Sequence, residues 1–462
     1  MKVEIKKLIR DIVYILMGLQ VVLGNIWLFC NLGEVPRFEE STELIALSKS
    51  LGTDAYAGFF YPLCIRMALG LGELIGVSGY GLLYLLQLGA VYLAGVCFLK
   101  QVVPELQKRV WFLAGFVVTI PTVLQCVAAV LPYSFAAAFF LLLLAEGIPL
   151  WKGEAGELAG GKLFRMAVYW GLSAWICPSY VWFGAGAVAF AGLRAGLCTK
   201  AGKSFWLRLC ILCGAVLLCV HAVKLLPQAK NSTPKIQNTI GAAMLRRVVW
   251  PNFAGFCDFW EPEVLDTFDG AQLLEISNYP ERVIYVFGPT LEEKYGKEKA
   301  NEIYWRMSQV AFSLNTKQVV ENVLKDTAAY VCPQLTMLLQ LRGIGASYTG
   351  WNYGRMKDYA PVLTQFYVSC SLNNWLVLML LGLIYWGMEH LRKDWGKEDT
   401  RREKYRGGNV GVYLLFISIL INLWYVMSSG GMQDYKKLIV NSILCAVWVV
   451  YLVATDKTYR RN

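Results

Sequence analysis

The stretch EVPRFEESTELIALSKSL, residues 34 to 51, carries four carboxylates: Glu34, Glu39, Glu40 and Glu43. They stand just beyond a hydrophobic segment of membrane length. Two chemistries fit such a cluster. Acidic residues in a first helical turn interact favourably with the helix dipole, each by about a few tenths of a kcal/mol. Glu39, Glu40 and Glu43 stand where a helix with Leu44, Leu47 and Leu51 on one face would begin. The other chemistry is the working end of an enzyme at a membrane surface, where desolvation raises a glutamate's pKa and suits it to act as a base. Asp54 follows in GTDAYAG, where turn chemistry accounts for an aspartate.

Other reactive residue types form no comparable group. Most of the 13 cysteines, among them Cys30, Cys97, Cys210, Cys213, Cys219 and Cys445, lie in apolar runs and read as small hydrophobes. Cys210 and Cys213 make a C-x-x-C without a second pair. Zinc takes about four nitrogen or sulfur ligands, and the chain has only His221 and His390, far apart in sequence. Cys257, Cys332 and Cys370 fall in one long loop, where pairing is open. A charge of +11 raises nucleic acid as a partner, but in a membrane protein basic loops on one side explain it.

The elements that must position these residues are membrane helices. The chain of 462 residues is 56% hydrophobic and 17% charged, against roughly a quarter charged in soluble domains. Its apolar residues come in membrane-length runs. The expected fold is an all-α polytopic membrane protein with ten spans, at about 11–32, 79–99, 110–130, 133–150, 164–177, 179–194, 205–226, 371–389, 410–428 and 437–455. Pro178 in SAWICPSYVWFG would break one long helix into the fifth and sixth spans. MKVEIKKLIRD leads into a retained first helix rather than a cleaved signal. With ten spans, segments such as KQVVPELQKR, RAGLCTKAGKSFWLR and HLRKDWGKEDTRREKYRGGN face the cytoplasm and hold, with the termini, about half of the 44 lysines and arginines. Both termini are then cytoplasmic. The domains expected are a seven-span module at 1–226 with an acidic outer loop at 33–78, a mainly helical extracytoplasmic domain at 227–370, and a three-span module at 371–462. In the middle domain, residues 290–314 and 316–341 read as helices and RGIGASYTGWNYGRMKDYAP as loop.

Within the first outer loop the order is an acid-opened amphipathic helix, a turn ending in aromatics and Pro62, and LCIRMALGLGELIG, a short apolar segment with Arg66 and Glu73. That segment is too short to span and should lie in the interface. Gln87 then sits among leucines in YLLQLGAVYL. This order resembles the GT-C superfamily of membrane glycosyltransferases, which take sugars from polyprenyl-phosphate carriers. The pieces that carry it are EESTELIALSKSL, FFYPLCIRMALGLG, YLLQLGAVYL and RMAVYWGLSAWICPSYVWF, with MQDYKKLIV as a faint late element around Tyr435.

The resemblance implies transfer of a sugar from a polyprenyl-phosphate carrier to an extracytoplasmic acceptor, a cell-surface polysaccharide, glycolipid or protein. It implies that Glu40, with Glu39 as the adjacent alternative, faces the acceptor as general base or orienter. The lipid phosphate would leave with inversion, neutralised by cations or donors. The candidates are Arg66 first, then Arg246, Arg247, Arg355, Lys436 and Lys437, with Asp54 and Tyr435 as further substrate contacts. One departure stands out. Many members carry a second acid between spans three and four, whereas LQCVAAVLPYS has none. No cofactor is firmly implied, and a divalent metal is unsupported. The expected partners are the lipid-linked sugar, the bilayer and the acceptor, with no nucleic acid, in a plasma membrane and from a bacterium. The alternatives are a lipid or oligosaccharide transporter or flippase, and a non-catalytic GT-C-like relative.

Overall fold

The computed structural model describes residues 2–31, 39–49, 60–152, 160–199, 203–224, 236, 239–249, 260–278, 282–321, 324, 354–370, 410–428 and 439–455. Among these residues every regular element is a helix. The described helices divide between two compact units, one of Met1–Ala229, Gln334–Ile421 and Lys436–Asn462, the other of Lys230–Pro333 and Asn422–Tyr435. The segment expected as one domain at 227–370 is thus divided between them.

The first unit opens with α1 (Lys2–Asn31), α2 (Glu39–Lys49), α3 (Phe60–Ile75) and α4 (Gly79–Val102). A 3-10 turn at Pro104–Arg109 leads to α5 (Val110–Val118), α6 (Pro121–Val127) and α7 (Tyr133–Trp151). Next come α8 (Gly160–Ile176), α9 (Tyr180–Thr199) and α10 (Lys203–Lys224). Among the described residues, Asp11–Asn31, Gly79–Val102 and Tyr133–Trp151 are long and apolar enough to cross a membrane; Pro104–Val118 with Pro121–Val127, bent by 77°, makes a fourth if taken as one broken span. The chain is a helical membrane protein. At α7 the apolar window is 72% buried, against 33% at α1. Accordingly α7 is the central helix, packed by α4, α8 and α9, while α1 leaves Ile15, Val22 and Phe29 exposed.

Two local features depart from the expected spans. The run 110–130 is not one straight helix. Pro121 disfavours the helical region for the residue before it, and Ile120 is extended at φ −60°, ψ 132°. Phe116 O, released by the break, accepts from Gln20 Nε2 and Thr119 Oγ1, each at 3.1 Å. Tyr367 OH donates to Thr119 O. The second concerns α3, expected only as a short interfacial segment: it folds back along the first half of α4. Gly76, at φ +72°, makes the turn, and Val77 N donates to Gly72 O at 2.9 Å. The hairpin is tight enough that a Cβ on Gly72 would stand 2.6 Å from Gly79 Cα.

Pro178 acts as expected. Helix α8 ends at Ile176 and α9 starts at Tyr180, and Trp170 Nε1 donates to Val181 O at 3.1 Å across the hairpin so formed.

In the second unit, α11 (Ile240–Met244), α12 (Pro262–Leu265), α13 (Gly270–Asn278), α14 (Gly288–Tyr295) and α15 (Lys297–Leu314) surround a core of Leu245, Phe287, Ile303, Tyr304 and Met307. The helix expected over 290–314 breaks at Gly296, whose φ of +81° suits glycine. Residues of WEPEVLDTFDG form ion pairs within this unit. Arg306 bridges Glu261 at 3.0 Å and Glu263 at 2.9 Å, and Lys294 pairs with Asp266 at 2.8 Å.

Late in the first unit come α16 (Gly354–Tyr359) and α17 (Pro361–Cys370), both against α1, so the expected Gly-rich loop ends in a helix. They are followed by α18 (Val410–Ser428) and α19 (Ile439–Thr455). Tyr413 of α18 stacks on Trp151, Thr122 Oγ1 donates to Ser442 Oγ at 3.0 Å, and Ser418 Oγ donates to Asn441 Oδ1. Hydrogen bonds of this kind join apolar helices where packing alone gives little specificity.

Candidate functional site

Helix α2 starts at Glu39, so Glu39 and Glu40 occupy its first turn; their side chains lie outside the described residues. The next residue, Ser41, is fully buried, and its hydroxyl has no hydrogen-bond partner among the described residues. One turn on, Leu44 and Ile45 pack against Tyr61, Ile65 and Ala68 of α3, Leu83 and Tyr84 of α4, and Val130. The amphipathic pattern of STELIALSKSL therefore docks α2 on the α3–α4 hairpin, with Leu51 outside the described residues.

The hairpin in turn grips the connection between α6 and α7. Gln87, fully buried in α4, donates to Val127 O at 2.6 Å and Ala129 O at 3.0 Å, and accepts from Tyr61 OH at 2.8 Å. An amide has both donors and an acceptor, so one side chain satisfies two backbone carbonyls and a phenol. Phe60 meets Phe135 at 6.4 Å and Trp175 at 6.5 Å between ring centroids, which brings in the start of α7 and the end of α8. On the far side of the same connection, Ala128 packs with Trp27 of α1 and Met356 of α16.

The α6–α7 connection is consequently a buried hub. Ala128, Ala129, Val130 and Leu131 are all within 3% of full burial. This gives a physical reason for the missing second carboxylate in LQCVAAVLPYS. A charge there would sit in a closed apolar setting beside carbonyls already occupied by Gln87, at a cost of several kcal/mol.

Of the residues singled out from sequence, α2 with Glu39 and Glu40 and α16 with Arg355 pack on this one connection from different sides. The side chain of Arg355 lies outside the described residues. Arg66 is exposed on α3, among Leu63, Met67 and Leu71. Asp54, Tyr435, Lys436 and Lys437 lie outside the described residues. Arg246 and Arg247 belong to the second unit. Two positions escaped the sequence reading. Ser41 looks like any helix-start serine, and Tyr180, fully buried with no partner for its hydroxyl among the described residues, looks like an interfacial aromatic.

Opposite this end, cations gather. Lys152 Nζ donates to Gln101 O at 3.1 Å, and Arg194 Nε donates to Trp151 O at 2.9 Å with its guanidinium over the Trp151 ring. Arg165 pairs with Glu146 at 2.7 Å, and Lys100 lies over Trp111. Helix α7 runs between the two ends and its 19 residues cover about 28 Å, close to the thickness of a bilayer's hydrocarbon. One end is aromatic and carries the acid-opened α2; the other gathers cations.

Among the described residues no three His, Cys, Asp or Glu side chains are grouped to hold a metal ion. The described cysteines, including Cys210 and Cys213, are free thiols; the side chains of Cys257, Cys332 and Cys370 lie outside the described residues.

No protein-family model, no curated protein and no solved structure matches the chain.

Proposed function

We propose that the protein is a GT-C-like glycosyltransferase that moves a sugar from a polyprenyl-phosphate carrier to an extracytoplasmic acceptor, through a ten-span topology with both termini in the cytoplasm of a bacterial cell. The observation that carries this reading is the docking of α2, opened by Glu39 and Glu40, onto the α3–α4 hairpin and the α6–α7 hub at the aromatic end of the bundle. General-base catalysis needs a positioned side chain, and a helix so anchored fixes the backbone that carries one.

In this mechanism Glu40 takes the proton of the acceptor hydroxyl as the oxygen attacks the sugar carbon. The bond to the lipid phosphate breaks in line, with inversion, and Arg66, Arg355, Lys436 and Lys437 supply the cations for the leaving phosphate. A single carboxylate suffices for such a step. The buried α6–α7 hub leaves no place for a second one there.

The test is direct. Purified protein is given labelled polyprenyl-phosphate sugars, and wild type is compared with Glu40→Gln and Glu39→Gln. Turnover should fall about 100-fold or more in Glu40→Gln and by much less in Glu39→Gln. Unchanged turnover in Glu40→Gln removes that residue from the mechanism.

A second reading, a carrier for a lipid or oligosaccharide, draws on the 77° break between α5 and α6, since broken helices are common at transporter sites. Against it, Phe116 O and Thr119 O at this break are already bonded within the protein. Movement of a lipid-linked sugar across vesicles without transfer would favour the carrier.

A further inference from the structure

At the basic end, a hollow of about 470 Å³ opens between α1 and the turn before α5, lined by Asp11, Tyr14, Lys108, Arg109 and Phe112. None of these residues belongs to the transferase reading. Their depth is set by the helices. Asp11 opens the first apolar window, Asp11–Asn31, and Arg109 closes the 3-10 turn that leads into apolar α5. The hollow therefore stands where two neighbouring helices pass from polar to apolar surroundings. Phe112 gives it an apolar, exposed wall, and Ile12 and Ile15 beside it on α1 are exposed as well.

A charged hollow with an apolar rim calls for an amphiphile. Its charges select which one. Lys108 and Arg109 are both exposed, and the Arg109 guanidinium is held over the Tyr14 ring at 5.1 Å, an arrangement that orients its donors. Such a pair suits a phosphodiester. Asp11 in the same hollow disfavours a second negative charge and suits a primary ammonium. We propose that this hollow binds the headgroup of an ethanolamine phospholipid, its phosphate on Lys108 and Arg109 and its ammonium on Asp11, with the acyl chains along the exposed apolar faces of α1 and α5.

The alternative is that the two cations simply extend into a general lipid–water interface, in which case any anionic lipid serves and Asp11 plays no part. The full chain is placed in nanodiscs of phosphatidylcholine containing equal small amounts of phosphatidylethanolamine and phosphatidylglycerol. Lipids that stay bound on mild detergent extraction are then counted by native mass spectrometry. Wild type should retain ethanolamine lipid over glycerol lipid by about fivefold. Arg109→Gln should lose retention of both. Asp11→Asn should invert the preference, and Asp11→Glu, which keeps the charge, should preserve it. Lys203→Gln, at the start of α10, should leave the ratio unchanged. Equal retention of the two lipids by wild type, a preference for glycerol lipid, or an unaltered ratio in Asp11→Asn would each overturn the proposal. So would loss of the preference in Asp11→Glu when its thermal melting matches wild type.

Discussion

Gln87 contributes through three hydrogen bonds that an apolar side chain of similar size cannot make. Gln87→Leu leaves the Tyr61 hydroxyl and two carbonyls without their partner in a closed setting. Each such group costs about 1–3 kcal/mol, and partial relaxation brings the expected loss to about 3 kcal/mol. Thermal melting of the purified chain in detergent should fall by several degrees, and Gln87→Glu should not restore it. A surface carboxylate behaves differently. Hydrogen bonds from Lys294 and then Tyr295 hold Asp266 below its ordinary range. Its folded pKa is depressed, so its contribution to stability is present above the unfolded value near 4 and lost as pH falls through the folded value. Proteolysis of residues 260–321 in the intact chain should accelerate on acidification below about pH 4, less steeply in Asp266→Asn.

At the scale of elements, helix ends and close approaches decide more than helix propensity. The α8–α9 hairpin depends on Gly184, where an added Cβ would collide with the indole of Trp170, itself buried and bonded to Val181 O. Overpacking costs about 1–3 kcal/mol. Gly184→Val should therefore lower the melting temperature of the full chain, whereas Gly171→Val, where nothing stands within 4 Å of the added Cβ, should be near neutral. The break at Pro178 and the Leu44–Ile45 face of α2 were legible because proline chemistry and helical spacing are local. The 77° bend before Pro121 is also local chemistry, yet the apolar run hides it. Hydropathy counts residues and does not register a pre-proline residue driven out of the helical region. Likewise the folding of α3 along α4 depends on Gly72 and Gly79 meeting across the Gly76 turn, a close approach that nothing marks in two ordinary glycines.

At the scale of the molecule, the basic and the aromatic ends of the first unit are separated by the length of α7. The ten-span proposal turns this into an accessibility pattern. In a cysteine-free background, a cysteine at Ser78 or Ser179 should react with an impermeant maleimide on intact cells. Cysteines at Lys152 and Lys203 should react only after permeabilisation. Labelling of Lys152 from outside would reverse the topology and place α2 in the cytoplasm, where no extracytoplasmic acceptor reaches it.

Composition and run length by themselves determined that this is a helical membrane protein, because membrane-length apolar runs are a property of segments. The start of a helix at Glu39 was equally readable, since acidic first turns and apolar spacing are local. Only the tertiary structure decided what that helix rests on. The partners of Gln87 lie about 40 residues away in sequence, and carbonyls carry no residue identity to read. Nor does LQCVAAVLPYS reveal that its own connection is the buried centre on which α2, α3 and α16 converge. Burial is set by what packs around a segment, and here those neighbours come from both ends of the chain.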